Sequence, residues 1–180
     1  MKNQNSKTSV ESNIQESGLK TLFTDELRDI LWAEKHLLKA LPKMAKGATS
    51  EELRSSLEQH VAETQNQISR LEQVFEILGE KATGKKCEAM EGLVEEGKGM
   101  MEDTEEGSLT RDAAIISASQ KIEHYEIASY GTLRTLANTL GLADAAQLLE
   151  ETLEEEKNTD VKLTKIAESF VNESSKAEKE

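Results

Sequence analysis

Residues 115–137 read IISASQKIEHYEIASYGTLRTLA, and their spacing decides the fold. Apolar residues return every three or four positions, as they do on one face of an α-helix. The inward series 116, 119, 123, 126 and 130 includes Glu123 and Glu126, one turn apart. A carboxylate in an apolar stripe is costly unless it is paired or bound to a cation. The rest of the sequence must therefore supply matching groups or leave these two at the stripe edge.

Three further segments share the helical period. The first runs from about Leu19 to Lys46, with Phe23, Leu27, Ile30, Leu31, Leu38 and Leu41 as its stripe. Pro42 is expected to kink it or start a new turn, and Gly47 to end it. The second starts near Thr49, where Thr49 and Glu52 suit a capping box, and stops at Gly79. The third holds the quoted stretch, from about Leu109 to Leu140, with Gly141 as its stop. The fourth spans about Ala143 to Phe170.

Residues 80–108 are Gly-rich and weakly periodic, with a short helix predicted over Glu88–Glu102. Two short-looped hairpins joined by this long connection predict an all-α, ferritin-like four-helix bundle, with the crossover between the second and third helices. The bundle is expected to occupy residues 18–170. Residues 1–17 are expected to be a disordered tail and residues 171–180 a flexible C-terminal tail.

Composition narrows the function. Lys and Arg number 22 against 35 Asp and Glu, a formal charge of −13. That excludes nucleic acid as an expected partner, since phosphate binding needs clustered cations. No apolar run is long enough for a membrane span and no signal-peptide core is seen. Cys87 is the only cysteine, so no internal disulfide is expected and a cytoplasmic location fits. No nucleophile triad, phosphate loop or zinc cysteine cluster is present.

Each stripe carries a polar group where an apolar one is expected. The series 27, 30/31, 34, 38 and 41 turns Glu34 inward. The series 53, 57, 60, 64 and 68 turns His60 inward, with Glu63 and Gln67 at its edge. The series 149, 152, 156, 159 and 163 turns Glu156 inward, with Glu155 beside it in a charged run. Carboxylates from four helices at one level would repel one another. Two metal ions would cancel that charge, and hard oxygen ligands with an imidazole suit iron, with manganese as the other candidate. The alternative for any one of these residues is a solvated stripe edge. His124 is expected to point sideways, His36 to face solvent or a helix end, and Tyr130 to be a core aromatic with a bonded hydroxyl. Asp160 is expected to support the site from outside its ligands, and Cys87 to be an unreactive thiol.

The stretches LRDILWAEKHLLKALPKMA, EQHVAETQNQISRLEQVFE, KKCEAMEGLVEE, RDAAIISASQKIEHYEIASYGTL and LLEETLEEEKNTDVKLTKIA cover nearly everything from Leu19 to Ala167. In them the chain resembles the YciE/YciF family of bacterial ferritin-like stress proteins. The resemblance implies a homodimer and a di-metal centre. Matched by residue, it points to Glu34, Glu63, Glu123, Glu126 and the Glu155–Glu156 pair, with His60 close by. The wider superfamily's Glu-x-x-His is absent: the second helix reads His60-x-x-Glu63 and the fourth has no histidine. The expected activity is that of a di-metal stress protein, an oxidase or a peroxidase-like enzyme. The alternatives are a metal-free all-α interaction or structural protein and a non-catalytic metal scavenger.

Overall fold

The computed structural model describes residues 17–178, and these are all-helical. The predicted N-terminal tail lies outside the described residues apart from Ser17, whose hydroxyl caps the first helix by accepting from the Lys20 N–H. Helix α1 spans Gly18–Gly47, α2 Glu51–Leu78, α3 Glu88–Glu102, α4 Leu109–Thr139 and α5 Ala143–Ile166. A π-helical turn, Ala167–Val171, and a short α6, Asn172–Ser175, follow.

Helix ends obey the sequence closely. Gly79 and Gly141 adopt φ of 67° and 74°, which L side chains rarely do, and each closes its helix with a reversed final turn. There the Glu80 N–H reaches Phe75 O and the Leu142 N–H reaches Ala137 O. The start of α2 differs from expectation. Ser50, not Thr49, is the cap, accepting from the Leu53 N–H. Thr49 instead donates its hydroxyl to Ser108 O. Helix α1 continues through Pro42 as one element.

Residue pairs fix the packing. Lys35–Glu72 and Arg28–Glu80 join α1 and α2 as an antiparallel pair. Arg134–Glu150 and His124–Asp160 do so for α4 and α5. Lys162–Gln59 and Arg70–Glu151 set α5 antiparallel to α2. Glu34 meets Tyr130, while the residues just past α1 meet Asp112 at the start of α4, so α1 and α4 are antiparallel too. With each of these pairs antiparallel, α2 and α4 run the same way. The chain must therefore travel back along the molecule between them, and α3 makes most of that journey.

Helix α3, about 22 Å long at 1.5 Å per residue, packs on α4 and α1. Gly97 makes the approach close, since a Cβ there would sit 3.1 Å from the Ala118 Cβ. Met90 is fully buried within its own chain. Because α4 packs against α1, α3 and α5, it is buried on several sides, from Ala118 round to Tyr130.

One buried polar contact ties the loops. The Asp112 carboxylate, fully buried in the first turn of α4, accepts the Thr49 N–H at 2.6 Å and the Ser50 N–H at 2.7 Å. At the other end, the segment expected as a C-terminal tail carries the close of the π-helical turn and α6. Val171 is buried, and Glu178 accepts the N–H groups of Leu109 and Thr110 at 2.7 and 3.0 Å. Glu178 thereby supplies acceptors to the first N–H groups of α4.

Replacing Asp112 by Ala leaves the buried Ser50 N–H and the half-buried Thr49 N–H without an acceptor. Urea unfolding should show a loss of about 3 kcal/mol, from about 1–3 kcal/mol for each orphaned donor.

Candidate metal centre

Each long helix delivers a polar side chain to one level of the interior. Helix α1 brings Glu34, α2 brings His60, α4 brings Glu123 and Glu126, and α5 brings Glu156, all buried. His60, Glu123, Glu126 and Glu156 each offer a ligand atom, and these atoms lie within 4.8 Å of one another. His60 Nε2 is 3.4 Å from Glu123 Oε1. Glu34 adjoins the group: its charge acts on Glu126 and Glu123, and that of Glu156 acts on Glu34.

The supporting contacts are few. Tyr130 donates its hydroxyl to Glu34 Oε1, the bonded core aromatic that the sequence predicts. Gln67, at the stripe edge by sequence but fully buried, donates its Nε2 to Glu156 Oε1. Many atoms remain without a hydrogen-bond partner: both oxygens of Glu126, one each of Glu34, Glu123 and Glu156, and both nitrogens of His60. Buried polar atoms normally find partners, so this concentration of orphans at one point is the distinctive feature of the core.

Burial is the main force on these carboxyls. It pushes Glu34, Glu123 and Glu126 well above the usual carboxylate range, and the neighbouring acids push the same way. For Glu34 and Glu123 the charge of Glu156 comes next, and for Glu126 that of Glu34. The Tyr130 hydrogen bond pulls Glu34 back in part.

Two expected members do not join the buried group. Glu155 is held by Arg70, whose Nη1 and Nη2 donate to its two oxygens at 2.7 and 2.6 Å. Adjacent residues on a helix point about 100° apart, and here Glu156 takes the interior while Glu155 takes Arg70. Glu63 lies at the edge, with Oε2 3.6 Å from His60 Nδ1, beyond hydrogen-bond reach. The nearby His60 imidazole is still the largest influence holding Glu63 below the usual range, aided by the Gln59 amide. Arg70 was missed from the sequence because its partner lies on another helix. The available signal was a cation beside Leu71, an apolar residue three positions after Ile68 of the stripe.

The remaining candidates are placed plainly. His124 is exposed and 3.3 Å from Asp160, which also accepts from Gln120 at 3.0 Å. Asp160 makes no hydrogen bond to the central group, though its charge adds to the rise at Glu123. His36 stacks on Trp32 at 4.6 Å. Cys87 is buried at the start of α3, where Sγ accepts the Met90 N–H and lies 3.1 Å from the Tyr125 hydroxyl. Burial pushes its thiol up, the reverse of what a nucleophile needs.

This is an all-helical protein with a histidine and several acids at its centre, a donor set for hard or borderline cations. The chain belongs to the family described as Domain of unknown function (DUF892), whose model matches residues 18–176. It is 50% identical to protein YciF of Escherichia coli (strain K12) over 155 residues, 86% of this chain and 93% of YciF. The crystal structure of that stress protein matches with a TM-score of 0.82 at 49% identity, covering 87% of this chain and 98% of the other. YcfI of Rhodopseudomonas palustris, described as a candidate structural protein, matches with a TM-score of 0.80 at 42% identity, covering 82% and 94%.

The raised carboxyls set a pH dependence for the metal-free protein. The unfolded chain releases these protons near the ordinary value of 4.5, whereas the folded chain retains them. The folded state then binds more protons, so stability falls as pH rises through the range above 4.5. Glu126→Gln is neutral throughout and should flatten that fall. Thermal melts in chelator at both ends of the range measure it.

Proposed function

We propose that the chain is a ferritin-like four-helix bundle of bacterial stress response whose interior holds two metal ions, iron or manganese. The observation that carries this reading is the orphaned set: acid oxygens and the His60 Nε2 converge on one dry point. When ionised, Glu34, Glu123, Glu126 and Glu156 bring four negative charges, and two divalent cations offset them. His60, Glu123, Glu126 and Glu156 would hold the ions, and Glu34 would close the set from α1. Bound iron or manganese supplies one-electron chemistry toward oxygen or peroxide, as an oxidase or peroxidase-like enzyme requires.

The chain's own residues have definite tasks in this reading. Tyr130 orients Glu34, and Gln67 orients Glu156. Glu34, Glu123 and Glu126 give up protons when cations arrive, so affinity rises with pH. The surrounding apolar side chains exclude water. The reading also makes the protein a cytoplasmic homodimer, which light scattering at micromolar concentration tests. Among the described residues no helix is long and apolar enough to cross a membrane.

A second reading has its own support. Protonated, Glu34, Glu123 and Glu126 are uncharged, and the fold then needs no metal. A metal-free interaction or structural role follows, in line with the description of YcfI. A third is a scavenger that binds metal without turnover. Peroxide consumption separates it from an enzyme, being stoichiometric for one and catalytic for the other.

Iron(II) or manganese(II), supplied without oxygen, should raise the wild-type melting temperature by binding the folded state alone. Glu123→Ala should lose most of that gain. A wild-type melt indifferent to both metals would leave the metal-free reading standing.

A further inference from the structure

Glu63 and Glu155, outside the buried group, line one feature in common. A cleft of about 210 Å³ opens between α2 and α5, walled by Gln59, Glu63, Glu155, Asn158, Thr159 and Lys162. Its acids are unequal. Glu155 is taken by Arg70, which bonds both its oxygens. Glu63 is fixed through one oxygen only: Gln59 Nε2 donates to Oε1 at 2.7 Å, and Lys162 steadies Gln59 through its Oε1 at 2.9 Å. The other oxygen, Oε2, is the one that lies 3.6 Å from His60 Nδ1.

His60 completes the line. Its side chain is 2% exposed, neither ring nitrogen has a hydrogen-bond partner, and Nε2 is 3.4 Å from Glu123 Oε1. One imidazole thus spans the gap between a carboxylate that meets water, with 26% of its side chain exposed, and the sealed group. Glu34, Glu123, Glu126 and Glu156 are at most 1% exposed and cannot meet a hydrated ion directly.

We propose that this cleft is the port through which divalent cations reach the buried centre, with Glu63 as the capturing carboxylate and His60 as the step between Glu63 and Glu123. The proposal rests on the metal-binding reading of the centre. Glu63 has the properties of a capture group: it is charged, wet and free at one oxygen. The negative charge of the whole chain, −13, raises the local cation concentration at such a mouth. Lys162 is held against Gln59 on the cleft wall and makes no hydrogen bond to Glu63. On this account Glu63 governs how fast the centre fills, not how much it holds.

The test is stopped-flow loading of the metal-free, full-length protein with cobalt(II), followed by its visible absorption and by the final metal content. Glu63→Gln should slow loading about tenfold or more, within the range by which local charge alters association rates. Its final stoichiometry and spectrum should equal those of wild type. Glu154→Gln, an exposed acid paired with Lys157 outside the cleft, is the control and should load at the wild-type rate. The port is overturned if Glu63→Gln loads as fast as wild type, or if Glu154→Gln is slowed equally. It is overturned also if Glu63→Gln binds less cobalt or shows an altered spectrum, which would make Glu63 a ligand. If wild type takes up no cobalt at all, the metal reading of the centre fails, and the port with it.

Discussion

Everything in the interior answers to the cost of placing several carboxyls in one dry place. An isolated ionised acid loses several kcal/mol of hydration on burial, and each further acid adds repulsion. Protons or cations are the available remedies. The apolar layers on either side of Glu34, Glu123, Glu126 and Glu156 stabilise the helices enough to hold such a group in place. The site is thus a local loss carried by a larger gain. It explains why the few hydrogen bonds present, from Tyr130 and Gln67, go to carboxylate oxygens.

The topology serves the same end. With neighbouring long helices antiparallel, their middles share one level, and residues far apart in sequence converge. The outlying α3 lies along α4 and α1. It adds apolar cover, including the fully buried Met90, without contributing to the central group. The acids that remain wet are found where α2 and α5 part, and Arg70 binds one of them.

The sequence was most legible where local chemistry decides. Gly79 and Gly141 announced their helix ends, and the bounds of α3 followed from a short apolar pattern between glycines. The inward turn of Glu34, His60, Glu123 and Glu126 followed from stripes long enough to fix their phase. Legibility failed where a distant partner decides. Thr49 and Ser50 are both good caps, and the Asp112 carboxylate, more than sixty positions on, receives the N–H groups of both. Leu37 rather than Leu38 is fully buried, a shift of one position that a repeat of 3.6 readily hides. Within the run Glu154-Glu155-Glu156 only the flanking Leu149, Leu153 and Leu163 set the phase, and they turn Glu156 inward. The contact of Glu178 with the start of α4 is likewise invisible in a local window.

The Asp112 contact has a meaning beyond holding two loops. Helices α2 and α4 run in the same direction, and Ser50 stands against Asp112 much as His60 stands against Glu123. The carboxylate therefore works as the zero mark of a ruler, from which ten or so residues are counted along each helix to reach the site. Adding or deleting one residue between mark and site would swing the ligand about 100° away from its partners. The crossover lies outside that measured length. Its turns can lengthen or shorten from one relative to another while the centre stays in register, so variation in this architecture should gather there and spare the spans 50–60 and 112–126.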